Sequence, residues 1–165
     1  MSAGPSRVLI IGVGNELLGD EGLGVHVARL LLASRGALPA GVEVLEAGTA
    51  LLDLLAEMSQ SARVIFVDAI RMGGKPGTLY RAELGGECEE MSGEALPFSL
   101  HQCDLFQALG VARLLGLLPG RVTLLGAEPE RIEPGTRLSP TLRQASAQLV
   151  SALLAETQGV EIKCA

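Results

Sequence analysis

The stretch VLIIGVGNELLGDEGLGVHVARLL, residues 8–31, decides the fold of this chain. It starts with an apolar run, passes through a turn rich in glycine and acidic residues, and ends in a helical pattern of apolar positions. A short apolar run without polar alternation is typical of a strand that is covered on both faces, as in parallel sheets. The stretch therefore predicts a strand, a tight turn and a helix, which together open an α/β fold.

The rest of the chain continues this alternation. We predict buried strands at 8–12, 42–46, 64–68 and 121–128, and an edge strand at 78–83, where polar and apolar residues alternate. Helical patterns cover 23–35, 50–59 and 101–118. A last helix is predicted to begin with Ser139 as its N-cap and Pro140 at its first position, and to end near 156. The β-α-β-α-β order predicts one three-layer α/β/α domain over residues 1–165. Residues 85–98 are predicted to be a polar loop, and 159–165 an edge strand or a frayed tail.

Composition excludes several classes of function. The chain has 165 residues and a net charge of −6, and its Lys and Arg residues are scattered. This distribution disfavours nucleic acid and anionic membranes as partners. The three cysteines form no CxxC pair, which favours a reducing compartment, and no apolar segment reaches the roughly 18 residues of a membrane span. We therefore expect a cytoplasmic protein.

The turn after the first strand resembles a dinucleotide-binding loop only in part. In G-x-G-x-x-G the third glycine would fall on Leu17, and the turn carries Glu16, Asp20 and Glu21 without a lysine or arginine. Each like-charge contact with a phosphate would cost about 4 kcal/mol at 4 Å and an effective dielectric constant near 20. A nucleotide-binding α/β enzyme, with a bound cofactor at this turn, is therefore disfavoured. We expect Asp20 and Glu21 to complement the positive end of the following helix.

An acidic turn at the carboxyl end of a strand is better suited to a cation. Glu16 follows the first strand, Asp68 ends the third, and His101 stands where the polar loop enters a helix. Two carboxylates and one imidazole are compatible with Zn²⁺, Ni²⁺ or a neighbouring metal. Purely structural roles stay open at this point: Glu16 as a solvated turn residue, Asp68 as an acceptor for backbone amides, and His101 as a helix-start residue.

Common peptidase motifs are missing from the sequence. Ser99 lies in no GxSxG elbow, and no HExxH pair of histidines is present. Cys103 is two residues from His101, a spacing at which side chains on one helix face apart. A serine, cysteine or ordinary zinc peptidase is therefore disfavoured.

Four ordered blocks resemble the hydrogenase maturation endopeptidases. They are GVGNELLGDEGLG at 12–24, VIFVDAI with GGKPGTL over 64–79, SLHQ at 99–102, and LLGAEPERIEPGTRLSP at 124–140. The resemblance covers nearly the whole chain and implies a twisted, mostly parallel but mixed five-stranded sheet between helices. It also implies that Glu16, Asp68 and His101 are the metal-binding and catalytic residues of a metal-dependent peptidase.

The resemblance further implies a reaction and a partner. Such enzymes remove a C-terminal peptide from the nickel-loaded large-subunit precursor of a [NiFe] hydrogenase, and the metal is this nickel or another divalent ion such as zinc. Asn15, Glu46, Gly48 and Thr49 are expected to recognise the precursor, although EAGT at 46–49 departs from the family's Asp-Gly-Gly-Thr. Apart from the resemblance, the acidic residues of 85–98 are typical of a solvated surface loop; because this loop leads directly into His101, we also expect it to order over the precursor. A non-cleaving, nickel-sensing or chaperone-like protein is the alternative, and the oligomeric state stays open.

Overall fold

Strands and helices alternate along the chain. The structure, a computed structural model, describes residues 7–84 and 100–159, apart from the side chains of 35 and 100–104. The strands are β1 (Val8–Val13), β2 (Val42–Gly48), β3 (Arg63–Ala69), β4 (Leu79–Glu83) and β5 (Arg121–Ala127). The α-helices are α1 (Leu23–Ala33), α2 (Leu55–Ser59), α3 (Leu100–Leu114) and α4 (Pro140–Thr157), with short 3-10 helices at Asp20–Gly22, Arg35–Ala37 and Leu51–Leu54.

The five strands form one mixed sheet in the order β2-β1-β3-β5-β4. Neighbouring strands from β2 to β5 are parallel, and β4 pairs antiparallel with β5 at the edge, which confirms the predicted fold class. The chain leaves β1 for β2 on one side and returns to β3 on the other. This reversal creates a topological switch point between β1 and β3, where open α/β sheets form their ligand crevice at the carboxyl ends of the strands.

Helices cover both faces of the sheet and create two apolar cores. The first core joins Ile10 and Ile65 to α1 and α4, and the second joins Leu9 and Phe66 to α2 and α3. Successive residues of a strand point to opposite faces, so continuous apolar strands supply both cores at once. The predicted three layers are therefore present in the described part of the chain.

Two helices differ from their predicted extent. The pattern at 50–59 forms a 3-10 helix over Leu51–Leu54 followed by α2, instead of one continuous helix. Helix α3 ends at Leu114, not at 118, because Gly116 takes a positive φ of 68°. The Leu117 amide then donates to the Ala112 carbonyl at 2.7 Å, the hydrogen bond of a glycine-terminated helix end.

A glycine lets α1 begin close to the sheet. A Cβ atom on Gly24 would lie 2.0 Å from the Val67 carbonyl oxygen and 2.2 Å from that of Val13. Only a residue without a side chain allows this approach of helix backbone to two strands. The first turn of α1 is thereby fixed at the carboxyl ends of β1 and β3.

A buried ion-pair cluster stabilises the opposite edge of the sheet. The Glu156 side chain, 1% exposed, accepts hydrogen bonds from Arg63 and Arg81, which are 13% and 15% exposed. Burial alone would raise the pKa of Glu156, but the two arginines outweigh it and lower that pKa below its ordinary value. The cluster joins the end of α4 to β3 and β4.

Among the described helices, none is both long enough and apolar enough to cross a membrane. The predicted loop at 85–98 lies outside the described residues, as does the predicted tail beyond Gly159.

Candidate functional site

The crevice at the switch point contains two of the three predicted metal ligands. Glu16 lies in the turn after β1, and Asp68 is the next-to-last residue of β3. A Cβ atom on Gly14 would lie 3.5 Å from Asp68 Oδ1, so the turn passes directly over this carboxylate. The structure thus places the predicted acidic turn and the predicted strand-end acid at one edge of the sheet.

Asp68 is a buried carboxylate that lacks a full set of partners. The residue is 1% exposed. Oδ1 accepts a hydrogen bond from the Ala69 amide at 2.8 Å, whereas Oδ2 has no hydrogen-bond partner among the described residues. Burial raises the pKa of Asp68 well above its ordinary value; the Ala69 amide opposes this rise and the negative charge of Glu21 adds to it. Such a group is costly to bury unless a proton or a cation stabilises it.

Glu16 lies on the open side of the crevice and is paired. Its side chain is 49% exposed, and Oε2 accepts a hydrogen bond from Arg29 Nη1 at 2.6 Å. Arg29 also donates from Nε to Glu46 Oε2 at 3.0 Å. These carboxylates hold the pKa of Arg29 above its ordinary value, with the Glu16 hydrogen bond as the main cause.

Arg29 is a site residue that sequence reasoning missed, because the turn itself contains no cation. Helix side chains tilt toward the N-terminus of their helix, and α1 begins at the crevice. A long cationic side chain in the first two turns of α1 therefore reaches back to the acidic turn. That position was the available signal in the sequence.

The predicted recognition residues line one groove beside Glu16. The groove has a volume of about 410 Å³ and lies between the turn after β1 and the end of β2. Glu16 and Arg29 line it. All four residues expected to recognise the precursor line it as well: Asn15, Glu46, Gly48 and Thr49. Residues that are more than 30 positions apart in the sequence therefore share one concave surface.

Two of these residues shape the groove through the backbone. Asn15 Oδ1 accepts a hydrogen bond from the Leu17 amide at 3.0 Å, which fixes the turn that carries Glu16. Gly48 takes a φ of 55° and its carbonyl accepts from the Gly14 amide at 3.0 Å. The positive φ falls on Gly48, so Ala47 in the EAGT segment needs no unusual conformation.

His101 belongs to α3, but its side chain lies outside the described part of the structure. Helix α3 leads into β5, which is parallel to β3, so the helix runs against the strands and begins at their carboxyl edge. It packs on the same face of the sheet as Phe66, two residues before Asp68. No group of three metal-binding side chains is present among the described residues, a set that does not include His101.

Asp20 has a structural role beyond the predicted one. Its carboxylate is fully buried and accepts hydrogen bonds from the Glu130, Arg131 and Ser139 amides and from the Ser139 hydroxyl, at 2.7–3.1 Å. The N-terminus of α1 receives no side-chain cap. Asp20 and Glu21 stand in the first turn of the 3-10 helix that leads directly into α1, as expected of charges at a helix start, and the loop before α4 supplies Asp20 with four further donors.

The comparisons with known proteins agree with this architecture. The family model for HycI, a hydrogenase maturation protease, matches residues 25–156. The hydrogenase expression/formation protein HupD of Rhodobacter capsulatus is 37% identical over 139 residues; the match covers 84% of this chain but only 65% of that protein.

Solved structures extend the agreement to the fold. The hydrogenase maturating endopeptidase HybD from E. coli superposes with a TM-score of 0.77 at 32% identity and 93% coverage of both chains. The [NiFe] hydrogenase maturation protease HybD from Thermococcus kodakarensis superposes with a TM-score of 0.74 at 28% identity, covering 92% of this chain and 98% of that one.

Fold and site together define an α/β protein of the maturation-peptidase type, with an acidic crevice at the switch point of its sheet. The matched model spans most of the chain. The chain belongs to the hydrogenase maturation protease family.

Proposed function

We propose that this protein is an endopeptidase that removes a C-terminal peptide from the large-subunit precursor of a [NiFe] hydrogenase. Two of the similar proteins carry names that describe them as a hydrogenase maturating endopeptidase and a [NiFe] hydrogenase maturation protease. Family membership favours this reaction over the nucleotide-binding alternative. Hydrolysis adds water across one peptide bond: the carbonyl carbon gains an oxygen, the C–N bond breaks, and the leaving amine takes a proton.

The observation that carries the proposal is the groove beside Glu16. One candidate metal ligand and all four candidate recognition residues line the same 410 Å³ concavity. The groove lies at the carboxyl ends of β1 and β2, beside the switch point between β1 and β3, and ligands of open α/β sheets bind at this edge. An extended segment of the precursor placed in the groove would pass beside Glu16 and Gly14, the residue of the turn that lies next to Asp68.

The unpaired Asp68 oxygen supports a role for a cation. A buried carboxylate whose Oδ2 has no described partner is unfavourable, and a divalent ion would stabilise it. Carboxylate oxygens are suitable ligands for first-row divalent metals. We infer that Glu16, Asp68 and His101 contact the nickel that the precursor carries, with zinc as another ion that this set accepts. A bound divalent ion polarises a peptide carbonyl or activates water.

The four groove residues are assigned to precursor recognition. Asn15 and Gly48 fix the two walls through backbone hydrogen bonds, whereas Thr49 is exposed and Glu46 presents a charge. The walls therefore set the shape of the groove, and we assign the selection among precursors to the exposed Thr49 and to Glu46 together with its partner Arg29.

A processing assay tests the proposal. Nickel-loaded precursor is incubated with the wild type and with Glu16→Gln, Asp68→Asn and His101→Ala, and mass spectrometry follows the loss of the C-terminal peptide. Glu133→Gln is the matched control, because its 57% exposed side chain forms an ion pair with Arg131, which is itself 59% exposed. We expect each ligand variant to slow processing at least about 100-fold, since the loss of a group that merely orients a metal ligand already costs about 10–100-fold.

Each outcome has a clear meaning. Wild-type rates in all three ligand variants would refute the site assignment. Tight precursor binding by the wild type without any change in precursor mass would favour the non-cleaving, nickel-sensing or chaperone-like alternative. Loss of activity in Glu133→Gln as well would indicate a general folding defect.

A further inference from the structure

Three charged side chains meet at the edge of the recognition groove. The Arg29 guanidinium donates to Glu16 through Nη1 and to Glu46 through Nε, at 2.6 and 3.0 Å. It thereby joins a candidate metal ligand on the turn after β1 to a candidate recognition residue on β2. Its side chain is 53% exposed, so solvent and any docking partner can reach it.

This arrangement opposes the binding of a free metal ion. One Glu16 oxygen, Oε2, is already held by a cation, so a divalent ion either competes with Arg29 for Oε2 or binds through Oε1 with the guanidinium close by. The ion is also repelled by the guanidinium. For a divalent ion about 5 Å from a unit charge in water-like surroundings, this repulsion weakens binding about tenfold, and added salt reduces it.

The guanidinium opposes binding less when the metal ion is carried by a bound precursor. Once the precursor occupies the groove, its ion is held next to Glu16 at a high effective concentration. Contacts between the precursor and the groove then offset the loss of the Glu16–Arg29 hydrogen bond. Arg29 keeps its second carboxylate, Glu46, and so remains neutralised when Glu16 turns to the ion.

We propose that Arg29 is a specificity-determining residue that disfavours free divalent ions at the site, so that Glu16 preferentially accepts an ion delivered by the precursor. This inference rests on the proposed function, since it assigns Glu16 to the metal of the precursor. It adds a residue that neither the turn nor the strand ends contain.

Calorimetric titration of the full chain with Zn²⁺ alone and with Ni²⁺ alone tests whether Arg29 weakens the binding of free divalent ions. We expect Arg29→Gln to bind either ion about tenfold more tightly than the wild type at low ionic strength, with a smaller difference at high salt. Arg29→Lys keeps the charge but cannot span both carboxylates, so its affinity should fall between the two. The control Arg113→Gln removes an exposed arginine near the other end of α3 and should leave affinity unchanged. Equal or weaker binding by Arg29→Gln would overturn the proposal.

Inhibition of precursor processing by free Zn²⁺ tests whether Arg29 favours the ion of the precursor over free ions during the reaction. Arg29→Gln should be inhibited at about tenfold lower Zn²⁺ than the wild type, while Arg113→Gln should match the wild type. Equal inhibition of Arg29→Gln and the wild type would refute the role of Arg29 and leave the peptidase proposal intact. If the wild type does not process the precursor, the proposed function fails, and the titration still decides whether Arg29 opposes free ions. If no heat is measurable, the inhibition assay decides.

Discussion

Replacing Asp20 should destabilise the protein far more than its position in a glycine-rich turn indicates. Its fully buried carboxylate accepts four hydrogen bonds from the loop before α4. Two of the four come from Ser139, whose hydroxyl also accepts from the Leu142 amide at 3.2 Å as the N-cap of α4. One side chain therefore joins the turn at the site, the 130–139 loop and the start of the last helix.

The magnitude follows from counting the donors that lose their acceptor. A hydrogen bond to a charged group contributes about 1.5–3 kcal/mol, and relief of carboxylate desolvation offsets part of the sum. We expect Asp20→Ala to lower the free energy of unfolding by about 3–5 kcal/mol. In Asp20→Asn the amide oxygen can replace Oδ2 and keep three bonds, while the new NH₂ faces the Ser139 amide. That variant should lose about 2 kcal/mol.

Urea denaturation followed by circular dichroism at pH 7 measures both values. The control is Glu133→Gln in the same loop, where both partners of the ion pair are more than half exposed. Exposed pairs of this kind contribute under about 1 kcal/mol, so this variant should unfold like the wild type. If Asp20→Ala stays within about 1 kcal/mol of the wild type, the hydrogen bonds do not hold this loop in place, and the reasoning is refuted.

Three further substitutions test other parts of the structure. Asp68→Asn should raise the free energy of unfolding by about 1 kcal/mol at pH 7, because the cost of burying the carboxyl group is then removed, while processing is lost; a lower melting temperature would contradict this. Gly24→Ala should destabilise by about 3 kcal/mol in urea, because its Cβ meets two backbone carbonyls, whereas Gly110→Ala in α3, where nothing lies within 4 Å, should stabilise slightly. Glu156 has a lowered pKa, so the stability it contributes is present above its ordinary value of 4.5 and is lost as pH falls through the folded value. Glu156→Gln should therefore be less stable by about 2–3 kcal/mol at pH 7 and show a shallower loss of stability below pH 4.5, and equal slopes for both proteins would contradict the assignment.

The sequence pattern predicted the layers of the fold because burial on two faces leaves a direct mark on composition. A strand such as β3 contacts helices on both sides, so every residue from Val64 to Val67 is apolar. The start of α4 was equally readable, since the serine and proline at its N-terminus act within a few residues. The end of α3 was less readable because the helical pattern continues past Leu114, and only the conformation of Gly116 ends it.

The candidate site was predictable only where a residue's chemistry contradicts its surroundings. Asp68 was recognised as unusual because a carboxylate directly follows a run of buried apolar residues. The roles of Asp20 and Arg29 were not, since each depends on partners from elements that are distant along the chain: the loop before α4 for Asp20, and two separate strand ends for Arg29. The side chain of His101 lies outside the described residues, so its part in the site stays a prediction.

By itself, the sequence determined the α/β class, the strands and helices, and the acids at the strand ends, because hydrophobic periodicity and local capping act over short distances. Only the tertiary structure decided which charges meet. The reversal of the chain between β1 and β3 places the turn at 14–17 beside the end of β2 and above Asp68. Electrostatic and hydrogen-bonding partners are selected by proximity in space, and proximity in space is set by the order of strands in the sheet.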